Sequence, residues 1–171
     1  QHLTEALYSE KGTIVVLLHL GNCELVNVWL NQYTAPVIMY KPSKNKGIDR
    51  FMLEARQSTR AKLVPTDENG VRAIFKHLKQ GGLTVILPDH LPKESGGIYA
   101  DFFGQKTLST TLLSKLASKT QCNVIGISCL RNTDTHFDIH CTQLSENILS
   151  KDLQVSVNQL NQDVEAMINV A

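Results

Sequence analysis

A histidine closes the first long apolar run of this chain. "IVVLL" (14–18) leads up to His19, a Gly21-Asn22 turn follows, and Glu24 comes five residues after the histidine. In open α/β sheets, ligands collect beyond the carboxyl ends of the strands. A strand over 13–18 places His19 at such an end. The Gly21-Asn22 turn then reverses the chain, and Glu24 falls in the first turn of a helix, where its carboxylate can reach back to the imidazole. That contact would fix the tautomer through one ring nitrogen and leave the other to accept a proton. A histidine oriented in this way is a general base for a hydroxyl. The competing reading is a core or capping histidine beside a surface glutamate, a pair that arises often by chance.

Other residues invite chemistry less strongly. Asp89 follows the apolar run "LTVILP" (83–88), so it also lies at a carboxyl edge, where it either binds a ligand or caps the next segment. Cys23 is four residues from His19, which suggests a Cys–His nucleophile, but the intervening turn favours a small packed thiol. His136, Asp138 and His140 alternate and share one face of a strand. The opposite face, Phe137, Ile139 and Cys141, reads as the buried one, so the three polar residues read as a solvated surface and no metal site is expected. The four cysteines (Cys23, Cys122, Cys129, Cys141) show no CxxC pairing and no zinc spacing, which suits free thiols in a reducing compartment. No glycine-rich phosphate loop of either common type is present.

These residues need a scaffold. Short β-branched runs predict strands at 13–18, 35–40, 83–88, 123–129 and 136–141, with a shorter one at 61–65. Helices are predicted between them: 23–32 with Asn22 as N-cap, a basic segment over 46–60, a periodic one carrying Val71, Ile74, Phe75 and Leu78 and stopped by Gly81-Gly82, then 108–121 and 153–170. Alternation of this kind indicates an α/β fold with a mostly parallel central sheet flanked by helices. "NVIGISCLRNTDTHFDIHC" differs, because two strands flank a short polar turn; an antiparallel hairpin is expected there, near the C-terminal part. Residues 89–107 read as one long irregular stretch.

The 171 residues, 42% hydrophobic and 19% charged, suit one globular domain. No run approaches the ~20 apolar residues of a membrane span. The start at Gln1 and the end at "MINVA" read as cuts in a longer protein, which leaves room for an N-terminal anchor or a C-terminal tail outside the sequence. Net charge is +1, but residues 41–62 carry seven cations against Asp49 and Glu54, a local +5 that leaves −4 elsewhere. Such a patch steers anionic partners.

Four blocks in order carry a resemblance. "HLGNCE" is an H-x4-E box, and "YKPSKNKGIDRFMLEAR" follows it. "LTVILPDHLPKESGGIYADFFGQKTLSTTLLSKLASKTQCNVIG" then supplies a Pro-Asp-His turn, a Phe-Phe-Gly and a Thr-rich helix. Together, over about residues 12–131, they resemble the bacterial lipid A biosynthesis acyltransferases. That resemblance implies a glycerolipid-acyltransferase-like fold. It implies transfer of a fatty acyl chain from an acyl carrier protein thioester, the donor co-substrate, to a hydroxyl of a lipid A precursor. No further cofactor, metal or nucleic acid is expected. Work at the cytoplasmic face of the bacterial inner membrane, on a membrane surface, is implied as well. His19 would be the general base and Glu24 its orienting partner. Arg50 or nearby backbone amides would stabilise the oxyanion. Arg50, Arg56, Lys41 and Asn45 would bind substrate phosphates or the acidic carrier protein, Asp89 would line the acceptor side or order the site, and residues 98–103 would wall an acyl groove.

Two positions depart from the family pattern. Gly126 stands where the fourth block usually has proline, and Lys46 follows Asn45 where the second block usually has proline. Rivals remain within the wider fold: an acyltransferase for another polar lipid, including mycobacterial-type mannoside acyltransferases that use acyl-CoA, a non-catalytic lipid- or carrier-binding domain, and a thioesterase.

Overall fold

The computed structural model describes residues 2–57 and 60–170, leaving aside the side chains of residues 2, 52, 53 and 55–57. In chain order the elements are α1 (His2–Leu7), β1 (Thr13–Gly21), α2 (Cys23–Leu30), β2 (Val37–Tyr40), α3 (Lys46–Gln57), β3 (Lys62–Pro65) and α4 (Glu68–Lys79). They continue as β4 (Leu83–Ile86), β5 (Gly97–Phe102), β6 (Gln105–Thr110), α5 (Leu112–Thr120), β7 (Asn123–Arg131), β8 (Phe137–Gln143) and α6 (Leu153–Asn169). Six strands form one sheet in the order β3-β2-β4-β1-β7-β8, with β5 and β6 in a separate two-stranded ribbon. Every pairing in the large sheet is parallel except β7 with β8. The mixed α/β architecture and the antiparallel hairpin near the C-terminal part are therefore as the sequence led us to expect.

β1 is apolar without alternation because both its faces are covered, as parallel central strands require. Ile14, Val16 and Leu18 pack with Ile74 and Leu78 of α4, Leu113 and Leu116 of α5, and Leu160 and Val164 of α6. Val15 and Leu17 face the other way, into a layer with Leu3 and Ala6 of α1 and Val26 and Leu30 of α2. The sheet is thus sandwiched between two helical layers. β8 buries only one face: Ile139 and Cys141 pack on the second cluster, while Asp138 and His140 are exposed.

Three expectations change. Residues 89–107 are not one irregular stretch, since 97–102 and 105–110 pair as a hairpin. Its two-residue turn, Phe103-Gly104, has positive φ at both positions (47° and 72°), the requirement of a type I′ turn. The helix expected over 108–121 accordingly starts at Leu112, because Leu108–Thr110 belong to β6. α1 was not anticipated; its six residues are short for a periodicity signal.

The two departures from the family pattern find local explanations. Gly126 lies in β7, and a Cβ there would come within 2.5 Å of the Met167 sulfur on α6, so its small size admits that helix. Asn45 Oδ1 accepts from the backbone N–H groups of Gly47 and Ile48 (3.0 and 3.2 Å), making it the cap of α3. Lys46 is then the first helical residue, where proline and lysine are both tolerated because that N–H has no partner within the helix.

Candidate active site

His19 and Asp89 are brought together by strand register. β1 and β4 run parallel with Val16 opposite Ile86, and His19 and Asp89 each lie three residues beyond that pair. On its other side, β1 pairs Leu17 with Ile127 but Gly21 with Cys129, so β1 carries extra residues around His19. A bulge of this kind re-aims a side chain out of the ladder. Gly21 makes the bulge possible: its φ is +68°, and a Cβ would lie 2.1 Å from the Cys129 carbonyl oxygen. The following N–H, of Asn22, donates to that same carbonyl (2.8 Å).

Asp89 grips His19 at two points. Its Oδ2 accepts from the His19 backbone N–H at 2.7 Å, and its Oδ1 lies 2.9 Å from ring Nδ1. An ionised carboxylate only accepts, so Nδ1 carries the proton and Nε2 is the nitrogen left to take one. The imidazole is 62% exposed and the Asp89 side chain 20%, so the acceptor nitrogen is open to a ligand while its anchor is shielded. Asp89 therefore makes a contact of the tautomer-fixing kind that spacing suggested for Glu24. The reason is geometric: a strand neighbour in register meets His19 directly, while Glu24 follows the bulge in the first turn of α2.

Glu24 nevertheless shares the cavity. Asn22 caps α2 as expected, its side chain accepting from Leu25 N–H (3.1 Å), and Glu24 sits in the first turn. There the helix N-terminus favours a carboxylate. A cavity of about 160 Å³ is lined by His19, Cys23, Glu24 and Asn27 together with Leu17, Met39 and Val85. Asn27 was missed by sequence reasoning; its signal is the one-turn spacing from Glu24. The Cys23 thiol is pushed up, chiefly by burial and then by the Glu24 charge, so it is a poor thiolate and a packed residue.

Two further cavities adjoin. One of about 160 Å³ touches Asp89 from behind, between His90 and Leu91 on one side and Phe102, Leu108 and Val164 on the other. Of the stretch 98–103, Phe102 lines this cavity. The hairpin is held to α6 by Asn161 Nδ2, which donates to Asp101 O and Ser109 Oγ (2.9 and 2.8 Å). The third cavity, about 360 Å³ and largely apolar, runs along Ile38, Met39, Val71, Ile74, Ile86 and Leu112 to His90. His90, whose Nδ1 meets Leu87 O at 2.8 Å, borders both and was not singled out from the sequence.

The described side chains of the basic segment do not line these cavities. Arg50 Nε pairs with Glu54 Oε1 at 2.7 Å in an exposed i,i+4 bridge. Lys41 is exposed, and Asn45 serves as the α3 cap. The Arg56 side chain lies outside the described residues. Asp49 organises the loop: it accepts from the Tyr40 hydroxyl and from Ser43 N–H (2.8 Å), and these bonds hold its carboxyl below the ordinary value. Among the described residues no cluster of side chains suits a metal ion.

A family model described as "Bacterial lipid A biosynthesis acyltransferase" matches residues 1–171. The chain is 24% identical over 175 residues to a "Lipid A biosynthesis acyltransferase" of Haemophilus influenzae, covering 100% of this chain and 54% of that protein. It is 30% identical over 133 residues to a "Phosphatidylinositol mannoside acyltransferase" of Mycolicibacterium smegmatis, covering 75% of this chain and 43% of that one. The chain spans about half the length of these curated relatives.

Proposed function

We propose, from the premise that the chain belongs to the bacterial lipid A biosynthesis acyltransferase family, that it transfers a fatty acyl group from a thioester to a lipid hydroxyl with His19 as general base. The observation that carries this reading is the Asp89 grip on His19 Nδ1, which leaves Nε2 to accept a proton beside an open cavity. The acceptor O–H donates to Nε2 as its oxygen attacks the thioester carbonyl carbon. The tetrahedral intermediate collapses by expelling the thiolate, and the imidazolium returns the proton to that sulfur. Asp89 holds the ring and offsets the positive charge it gains, the part a buried carboxylate takes in hydrolytic triads. Glu24 lines the same cavity and is positioned to orient the acceptor. No acyl-enzyme is required, because the thioester is already activated.

The preferred donor is an acyl carrier protein thioester and the preferred acceptor a 3-hydroxyacyl chain of a lipid A precursor, at the cytoplasmic face of the inner membrane. Arg50, Arg56 and Lys41 are assigned to lipid phosphates or to the acidic carrier protein. The apolar cavity between β2, β4 and α4 suits a hydrocarbon chain. A second reading, an acyl-CoA-dependent transfer to a mannosylated phospholipid, is favoured by the 30% identity to the mycolicibacterial relative.

The test uses the full-length protein with matched acyl carrier protein and acyl-CoA thioesters, offered to a lipid A precursor and to a phosphatidylinositol mannoside. Acylation of the lipid A precursor that His19→Ala abolishes is the expected result. Acylation of the mannoside alone selects the second reading. Free fatty acid undiverted by either acceptor points instead to a thioesterase.

A further inference from the structure

The cavity behind Asp89 is distinguished by what its polar atoms are still free to do. Asn161 of α6 is only 9% exposed. Its amide nitrogen donates to Asp101 O and Ser109 Oγ at 2.9 and 2.8 Å, and the carbonyl among these partners fixes which end of the amide faces the hairpin. Oδ1 is left as an acceptor. It meets no donor among the described residues, yet it is not sealed from solvent, and Asn161 lines this cavity, so Oδ1 opens into it. His90 adds a second acceptor: Nδ1 donates to Leu87 O at 2.8 Å, so the neutral ring presents Nε2. The hydroxyls are spent in the same sense. Thr107 Oγ1 donates to Gln105 O (3.4 Å) and Ser109 Oγ to Thr107 O (3.2 Å), which leaves only lone pairs.

The lining side chains therefore accept hydrogen bonds and have none left to give. That composition sorts ligands. Among the described residues no lysine or arginine lines the cavity, so nothing there meets a phosphate. A full cation is poorly served, because the one carboxylate, Asp89, is already bonded twice to His19 and the other acceptors are neutral. An amide, the repeating unit of a pantetheine arm, brings a carbonyl with every N–H, and that carbonyl would be buried without a side-chain donor. A hydroxyl fits, since its O–H rotates to whichever acceptor is at hand. Phe102, Leu108 and Val164 supply an apolar wall. Hydroxyls arranged around a body with an apolar C–H face are the chemistry of a sugar ring.

We propose that this cavity is a subsite for an uncharged polyhydroxylated ring, whose hydroxyls donate to Asn161 Oδ1 and His90 Nε2 while its C–H face packs on Phe102 and Leu108. Asp89 joins the subsite to the base, bonding His19 on one side and lining the cavity on the other. A ring seated there lies one carboxylate away from the reacting hydroxyl. Asn161 and His90 thus select the acceptor by its sugar, separately from any phosphate it carries. The proposal rests on the acyltransferase reading only in making the ring part of the acceptor lipid.

The test measures binding without a thioester, so its failure is distinguishable from failure of the acyltransferase reading. The full-length protein is titrated with methyl β-glucoside, methyl α-mannoside, pantetheine and inorganic phosphate, followed by ligand-observed NMR. His90→Phe and Asn161→Leu are titrated alongside, with circular dichroism confirming the fold of each. His90 is an exposed loop residue, so its variant keeps the test intact if Asn161→Leu loosens the hairpin. Binding of at least one glycoside is expected, weakened about threefold to tenfold by each substitution, the loss of one hydrogen bond. Pantetheine and phosphate should not displace it. No glycoside binding by the wild type, or binding unchanged in His90→Phe and in a folded Asn161→Leu, overturns the proposal. Pantetheine binding that both variants lose also overturns it, and assigns the cavity to the thioester arm.

Discussion

Asp89→Asn separates the geometry of the dyad from its charge. The substitution keeps the shape but leaves one oxygen where there were two. The His19 backbone N–H, 2.7 Å from Oδ2, needs an acceptor, so the amide oxygen turns to it. The amide NH2 then faces Nδ1, which must become an acceptor, and the ring proton moves to Nε2. The base is switched off by tautomer. The reverse amide orientation would set NH2 against the backbone N–H, leaving that donor unpaired at about 1–3 kcal/mol. The productive arrangement would then be populated roughly 5- to 150-fold less, which sets a floor on the loss. Complete loss of general-base assistance costs ~10²–10⁴, or about 3–5 kcal/mol of barrier. We expect kcat to fall within that span with KM little changed, since the interaction removed is one that strengthens only in the transition state. The assay is the initial rate of labelled lipid formation by the full-length protein, with melting temperature as the fold control. Activity within about twofold of wild type, alongside a collapse in Glu24→Gln, would refute the reasoning and return the orienting role to Glu24.

His19→Ala should lose about 10²–10⁴ in kcat while retaining thioester binding, checked by single-turnover rates and donor affinity. Gly21→Ala should lower stability by about 3 kcal/mol or more, from left-handed strain and the clash with Cys129 O, and should be visible in urea unfolding. Asn22→Ala removes the cap of α2, with an expected loss of about 1 kcal/mol in the same experiment. His77, whose Nε2 is buried with no hydrogen-bond partner among the described residues, has its pKa held below the ordinary value, chiefly by burial. The unfolded chain therefore binds the proton first. The stability this group contributes is complete above about pH 6.5 and declines as the pH falls toward the lowered folded value. His77→Leu should flatten the melting temperature against pH below that point, and an unchanged slope would remove His77 as the cause.

Local chemistry was readable; tertiary register was not. β1 announced itself by an apolar run, and α2 by the Asn22 cap, because both signals lie within a few residues. Glu24 was chosen as the partner of His19 for the same reason: it is near in sequence. Asp89 is 70 residues away, and its meeting with the ring depends on which strand pairs with β1 and in which register. Two apolar runs each followed by a polar residue at a carboxyl edge were visible, but nothing local says that the runs are neighbours. The β5–β6 hairpin was hidden because its turn is Phe-Gly rather than Asn-Gly, and because its strands hold only one fully buried apolar side chain, Ala100. Asn45 read as a ligand since cap and ligand use the same oxygen.

The sheet order also dictates when the chain can become active. β1 is translated before both of its neighbours, β4 and β7, which lie far along the chain from it. Closing such long loops is the slow part of assembling parallel sheets. A nascent chain carries His19 long before it carries Asp89, and the bulge that aims the ring needs the Cys129 carbonyl to close it. On the proposed mechanism, a chain in which β4 or β7 has not yet joined β1 lacks the groups that set the His19 ring, so activity should appear only after both strands are in place.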